Sequence, residues 1–316
     1  MIRQYSILTF LTVFLIVALC LIGCGVAKPA VAPVPAKGAV VDKTDYSPQI
    51  RQATWDAYEK VLKEVSASRF PVDPVMAQSR LKGKEASFLI LDLRAPGVYA
   101  EKHVQGAVNM SIVALAENIA NLPRDKTLLL YCYTGQSSAL AMVPLKAYGY
   151  QAIFINGGFA QIEKAGILMD NKPVMFVPAK NEKSSDPRQA EILKGIQANL
   201  LAIARQHTVK TLVVADQDVK ELTTDSPQKY AFIDLRPAAD FAKGHIKGAI
   251  SAPLAELRSR MTMLPKDKRL VLCCKSGQLA AMSTAPLTAE GFKIISLCAG
   301  LSQADKGPLP WEKSQE

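Results

Sequence analysis

Two stretches set the hydrophobic pattern of the chain, Leu128 to Ser138 (LLLYCYTGQSS) and Leu270 to Ala280 (LVLCCKSGQLA). Each opens on a short apolar run bounded by turn residues, the mark of a strand buried on both faces. Each breaks at a glycine, Gly135 or Gly277, and passes into an Ala-rich segment, 139–147 or 281–289. Those segments stop at Gly149 and Gly291 and predict helices. Residues 88–93 and 230–235 predict further buried strands. The helical spacing of Ile50, Trp55, Tyr58, Val61, Leu62 and Val65 predicts an amphipathic helix over about 50–66, packed onto the first half. Ile192, Ile196, Leu200 and Ile203 predict its counterpart over 187–206.

The two halves are copies. Asp92 matches Asp234, His103 matches His245, Cys132 matches Cys274 and Gly149 matches Gly291, always at the same spacing and without a gap. A fixed register of that length is a duplicated domain. Within each copy the order is strand, short helix, turn, strand, helix, Leu-Pro turn, strand, Cys loop, helix, strand. Such alternation predicts an α/β fold, an open parallel sheet with helices on both faces, built twice in tandem. The expected boundaries are 42–178 and 188–316, each copy with its N-terminal helix, joined by the polar, Pro-containing stretch 179–187.

The segment from Met1 to Cys24 reads as a leader rather than as part of the fold. Arg3 precedes an apolar run from Ile7 to Ile22, and Leu21-Ile22-Gly23-Cys24 resembles a bacterial lipobox, in which the cysteine is lipidated. The alternative is an uncleaved membrane anchor. Either way the chain is expected in the bacterial cell envelope, held to a membrane through its N-terminus. In a diderm that is the periplasmic side, and Gly25 after the cysteine points to the outer membrane. Residues 25–41, rich in Pro and Ala, form a tether. The net charge of +10 is scattered, with no basic run interleaved with aromatics, so no nucleic-acid partner is expected.

The chemistry gathers at the cysteines. Cys132 and Cys274 each end a strand just before a helix N-terminus, where unpaired N–H groups and the helix dipole favour an anion. A free thiol has a pKa of about 8.5, and a drop of about 2 units there would make roughly three-quarters of it thiolate at pH 7. No metal-ligand spacing appears among three His and no Cys-x-x-Cys. Cys273 is expected to point into the core and Cys298 to be buried rather than bonded.

The series Asp92-Leu93-Arg94, Tyr99, His103-Val104-Gln105-Gly106-Ala107, Leu122-Pro123 and the Cys132 loop resembles a rhodanese (sulfurtransferase) domain. The second copy matches with Asp234-Leu235-Arg236, Asp240-Phe241, Gly244-His245-Ile246-Lys247-Gly248-Ala249 and the Cys274 loop. The resemblance implies that Cys132 and Cys274 carry sulfane sulfur as a persulfide, with no cofactor beyond that covalent intermediate. The partners implied are a small sulfur-donor anion, such as thiosulfate or polysulfide, and a thiol or protein acceptor. It makes Tyr133, Thr134, Gly135, Gln136, Ser137 and Ser138 the anion cradle of one loop, and Lys275, Ser276, Gly277 and Gln278 that of the other. Asp92, Arg94, Asp234 and Arg236 read as supporting hydrogen-bonders, and His103 and His245 as structural.

Several positions depart from the family pattern. A phosphatase of this fold carries an Arg six residues after the cysteine; Ser138 and Ala280 stand there, which argues against phosphoryl chemistry. Five residues after it, where many members carry Arg, stand Ser137 and Leu279. The acidic partner expected for Arg94 is replaced by Val98, while Asp240 remains for Arg236. The usual Trp after the Gly-Gly turn is absent, and Pro144 and Pro286 fall inside the post-loop helices. Two functions stay open: an envelope sulfurtransferase or persulfide carrier, with Cys132 the more active cysteine, and a non-catalytic binding or scaffolding module of the same fold.

Overall fold

The structure is a computed structural model and describes residues 47–67, 71–206, 213–214, 228–297, 301 and 310–313. Cys24 and Cys298, and with them the lipobox and tether, lie outside the described residues. The first repeat begins with α1 (Pro48–Ala67) and α2 (Pro74–Leu81), the latter capped by the Asp73 carboxylate. Then come β1 (Phe88–Asp92), α3 (Pro96–Glu101), β2 (His103–Val104), β3 (Val108–Asn109), α4 (Ile112–Asn118) and β4 (Thr127–Tyr131). It closes with α5 (Gln136–Ala147), β5 (Ala152–Phe154), α6 (Gly158–Lys164) and β6 (Met169–Asp170).

Helix α7 (Pro187–Gln206) leads into the second repeat, which runs β7 (Val213–Val214), β8 (Tyr230–Asp234), α8 (Ala238–Lys243), β9 (His245–Ile246) and β10 (Ile250–Ser251). The remainder is α9 (Leu257–Arg260), β11 (Arg269–Cys273), α10 (Gln278–Ala289), β12 (Lys293–Leu297) and β13 (Trp311–Glu312).

Both main sheets are wholly parallel. The first has the order β3-β1-β4-β5 and the second β10-β8-β11-β12-β7. Parallel strands buried on both faces require continuous apolar runs, and Leu128, Leu129, Leu130 and Tyr131 in β4 are all buried. The matching strands β4 and β11 lie centrally, so the Cys loops emerge at the carboxyl edge of the middle of each sheet. In each repeat a short antiparallel ladder, β2–β6 or β9–β13, closes one end.

The repeats meet through their post-loop helices, α5 against α10. Every residue of α5 from Ser138 to Leu145 is buried, because one face lies on its own sheet and the other on the opposite repeat. Pro144 and Pro286 sit within these helices, buried, and neither ends its helix.

Helix α1 does not pack onto the first repeat alone. Its apolar stripe lies against α5, α7 and α10 together, and α7 in turn packs on α4 of the first repeat. A single core therefore joins Trp55 and Tyr58 of α1, Leu140 of α5, Ile196 and Leu200 of α7 and Met282 of α10. Asn199 ties the layers by donating to the Tyr58 hydroxyl at 3.1 Å and to the Ala285 carbonyl at 2.8 Å. Arg258 of the second repeat reaches α1, donating to Asp56 at 2.7 Å and to Glu59. The start of the 179–187 stretch is pinned to the first repeat, with Asn181 donating to the carbonyls of Ala120 and Leu122.

Candidate active site

Each candidate cysteine sits where a central strand ends and a helix begins. Gly135 is the residue before α5 and adopts φ +88°; Gly277 does the same before α10 with φ +78°. A left-handed turn there folds the loop back over the sulfur, and glycine takes it without a Cβ penalty. The Gly135 N–H donates to Cys132 Sγ at 3.2 Å. Ser138 Oγ lies 3.6 Å from the same sulfur and donates to the Gly135 carbonyl at 3.0 Å. Around Cys274, the N–H groups of Ser276, Gly277, Leu279 and Ala280 all turn towards the sulfur. A ring of amides with no helical partner is a fitting seat for a sulfur anion.

The two thiols differ in surroundings. Cys132 keeps 4% of its surface exposed and Cys274 none. Burial pushes the Cys274 thiol above its usual range, and the four amides only partly oppose it. Cys273 points into the core, as expected from its place on the strand, and burial raises its thiol well above the ordinary value. Cys132, Cys273 and Cys274 are all free thiols.

Tyr133 and Thr134 in one loop, and Lys275 and Ser276 in the other, stand exposed at the mouth. Ser137 is half-buried behind them. The Ser138 hydroxyl, read from sequence as a ligand for donor oxygens, is instead fully buried and committed to the Cys132 sulfur and the loop carbonyl.

Gln136 and Gln278 also depart from the expectation. Their buried side chains cross to the other repeat instead of lining their own cradle. Gln136 donates to the Ser276 carbonyl at 3.4 Å, and Gln278 to Asn156 Oδ1 at 2.8 Å. Gln136 thus reaches the Cys274 loop, and Gln278 the turn that follows β5.

Asp92 and Arg94 form a buried bidentate pair, with Arg94 Nη2 2.6 Å from Asp92 Oδ2 and 2.7 Å from the Lys102 carbonyl. Arg236 repeats this with Asp234 at 2.6 Å and the Gly244 carbonyl at 2.7 Å. Asp240, expected beside Arg236, pairs with Lys243 at 3.4 Å instead. The arginine partner is thus the strand-end aspartate two residues earlier, in both copies. His103 and His245 are satisfied at the starts of β2 and β9: each ring nitrogen Nδ1 meets a backbone carbonyl four residues back, at 2.7 and 3.0 Å. Each ring also stacks on an aromatic neighbour with centroids 3.7 Å apart.

Two contributors were not read from sequence. The Phe159 N–H bonds the carbonyl of Cys132 at 3.0 Å and its ring lies 3.6 Å from the Arg94 guanidinium carbon. Gly158, at φ +68°, touches the backbone of Tyr133 and Thr134 so closely that no Cβ fits. The repeated Gly at 158 and 300 was the available signal, though not for this contact.

The model of the rhodanese-like domain matches residues 74–165 and again residues 215–304. The chain belongs to the rhodanese-like family. Over stretches of 72 to 79 residues the chain resembles sulfurtransferases. The thiosulfate sulfurtransferase PspE of Escherichia coli (strain K12) is 36% identical over 74 residues, 23% of this chain and 71% of PspE. The thiosulfate sulfurtransferase GlpE of Pseudomonas entomophila (strain L48) is 35% identical over 72 residues, 22% of this chain and 66% of GlpE. The tRNA sulfurtransferase of Desulfurococcus amylolyticus is 37% identical over 79 residues, 25% of this chain, and the match spans only 15% of that protein's length. Among solved structures, the 3-mercaptopyruvate sulfotransferase SseA of Escherichia coli aligns with 72% of this chain and 98% of its own, at 20% identity and a TM-score of 0.34.

Proposed function

We propose that this rhodanese-like chain is an envelope-anchored sulfurtransferase that carries sulfane sulfur as a persulfide, on Cys132 foremost. One observation carries the reading: a free cysteine in each repeat whose sulfur is met by backbone amides at a helix N-terminus. That is the environment a thiolate nucleophile and its persulfide both need. With thiosulfate as donor, Cys132 thiolate attacks the outer sulfur, a new S–S bond forms, and the old one breaks with its electron pair leaving on sulfite. The persulfide, Cys–S–S⁻, keeps the negative charge inside the amide cradle. A thiol then takes the outer sulfur and returns the cysteine to its thiolate.

Cys132 leads because it retains exposure and a hydroxyl neighbour, whereas Cys274 is fully buried and burial pushes its thiol upwards. The alternative, a non-catalytic binding module, would keep the fold and take up no sulfur. Incubation with thiosulfate followed by intact mass separates the two: a gain of one sulfur atom, absent from the Cys132→Ala, Cys274→Ala double variant, supports the transferase.

Anchoring through a lipid on Cys24 is part of the proposal and rests on the lipobox-like Leu21-Ile22-Gly23-Cys24. No helix among the described residues is long and apolar enough to cross a membrane. In a bacterial host, Cys24→Ala should block processing and leave a precursor that still carries Met1 to Ile22. A mature protein that begins at another residue would refute the lipid anchor.

A further inference from the structure

Gln278 follows Cys274 in the chain, yet its side chain belongs to the surroundings of Cys132. It is the first residue of α10, is buried, and its Nε2 donates to Asn156 Oδ1 at 2.8 Å. Asn156 stands in the turn between β5 and α6, where its own N–H donates to the Val72 carbonyl at 2.9 Å. Its neighbour Ile155 donates its N–H to the Leu130 carbonyl at 3.0 Å, which fixes the turn to the strand that leads into Cys132. The anchor of Gln278 is therefore a rigid part of the first repeat.

Held in this way, the Gln278 amide rests against Gly135. A Cβ built on Gly135 would lie 2.9 Å from Gln278 Nε2 and 3.3 Å from the Ile155 carbonyl oxygen. Ordinary carbon contact is about 3.5–4.0 Å, so the missing side chain is what admits the glutamine. Gly135 is also the residue whose N–H donates to Cys132 Sγ at 3.2 Å. The Cys132 loop is thus braced by its own repeat at Tyr133 and Thr134, through Gly158, and by the second repeat at Gly135. In sequence the arrangement runs one way. Gln278 matches Gln136 in the register of the duplication, but Asn156 matches Cys298, which carries no amide oxygen.

We propose that Gln278 is a positioning residue for Cys132: the second repeat completes the amide cradle of the first by wedging this side chain between Gly135 and Asn156. The inference rests on the reading of Cys132 as the sulfur-carrying cysteine. Gln278 acts through Gly135 and takes no part in bond making. The Gly135 N–H has to stay aimed at the sulfur while the thiolate attacks and while the persulfide stands. Without the wedge, Gly135 leans into the vacated space and its N–H swings away from Sγ. A weaker amide contact favours the anion less, so the thiol ionises at higher pH and the nucleophile is less well aimed. The residue before Gln278, Gly277, turns its N–H towards Cys274. One helix start therefore serves both cysteines, with its backbone on one side and its first side chain on the other.

The test reads the thiol separately from sulfur transfer. The full chain is alkylated with iodoacetamide across a pH series, and the Cys132 peptide is followed by mass spectrometry. Gln278→Ala should move the Cys132 profile upwards by about half a pH unit or more. Asn156→Ala, which frees the wedge from its anchor, should move it the same way, and the double variant should go no further than the larger single. In a Cys274→Ala background, Gln278→Ala should lower thiosulfate-to-cyanide kcat/KM about tenfold, chiefly in kcat. Arg258→Ala is the control for a loosened junction, since it breaks the contacts of the second repeat with Asp56 and Glu59 of α1. It should leave the Cys132 profile unmoved whatever it costs in stability. Should Gln278→Ala fail to fold, Gln278→Met fills the same space without the bond to Asn156 and should shift the profile in the same direction. A profile that stays put in the folded Gln278 variant, or that moves as far in Arg258→Ala, overturns the positioning role. A shifted profile with no sulfur taken up by Cys132 upholds the positioning role and overturns the sulfurtransferase reading instead.

Discussion

Replacing Gly158 by alanine tests whether the Cys132 cradle depends on the turn beneath it. Gly158 has φ +68°, a conformation that costs an L residue about 1–2 kcal/mol. A methyl group there would overlap the Tyr133 carbonyl and come within 2.5 Å of the Thr134 nitrogen. Ordinary contact is about 3.5–4.0 Å, so the loop after Cys132 must shift by about 1 Å or more. The shift would pull on the Phe159 N–H bonds to the Cys132 and Tyr133 carbonyls, at 3.0 and 3.2 Å. Gly106 is the control: its φ is +77° and nothing lies within 4 Å of a Cβ built on it. Gly106→Ala should cost the backbone strain alone. Both variants are made in a Cys274→Ala background and assayed for thiosulfate-to-cyanide turnover, with chemical denaturation alongside. A 1 Å misplacement of a reacting group can cost about 100-fold. Gly158→Ala should therefore lose about two orders of magnitude in turnover, and Gly106→Ala should stay within about twofold. Equal turnover in the two variants would show that the Gly-Gly turn does not shape the cradle.

Cys132→Ala should remove most thiosulfate turnover and Cys274→Ala the smaller part; the reverse ranking would mean that Lys275 outweighs the burial of Cys274. In Cys132→Ala protein, alkylation of Cys274 should rise only at pH values above the ordinary thiol range, because burial raises its folded pKa. The sign carries over to stability, which is greatest while the unfolded thiol is still protonated and falls as pH climbs towards the folded value. Alkylation of Cys274 that is already complete near pH 7 would contradict this. Gln136 steadies the Ser276 carbonyl, and the rigid peptide plane places the Gly277 N–H on the opposite side, towards Cys274. Gln136→Ala in the first repeat should shift the pH profile of Cys274 alkylation in the second further upwards; an unmoved profile would refute the coupling.

The duplicated fold was legible because its cause is local. Buried parallel strands demand uninterrupted apolar runs, and the constant register of Asp92 with Asp234 and Cys132 with Cys274 exposes the repeat directly. The cysteine loops could likewise be placed, since a strand, a glycine and a helix start are all short-range signals. The placement of α1 could not. Its stripe says that one face is buried, but the surface it meets includes α10, which belongs to the other repeat and lies far along the chain. The direction of Gln136 and Gln278 depends on how α5 and α10 dock, which no periodicity within either helix encodes. The Arg94 partner was sought at Val98, one helical turn on, whereas Asp92 already faces it from the strand end.

The most direct test of the central claim is peptide mass spectrometry after thiosulfate loading, with the thiols trapped before digestion. The account predicts one extra sulfur on the peptide carrying Cys132, a lesser share on the peptide carrying both Cys273 and Cys274, and loss of the Cys132 signal once cyanide is added. No added sulfur on any of these cysteines, with the fold intact, would contradict sulfur transfer by this chain and leave the binding module in its place.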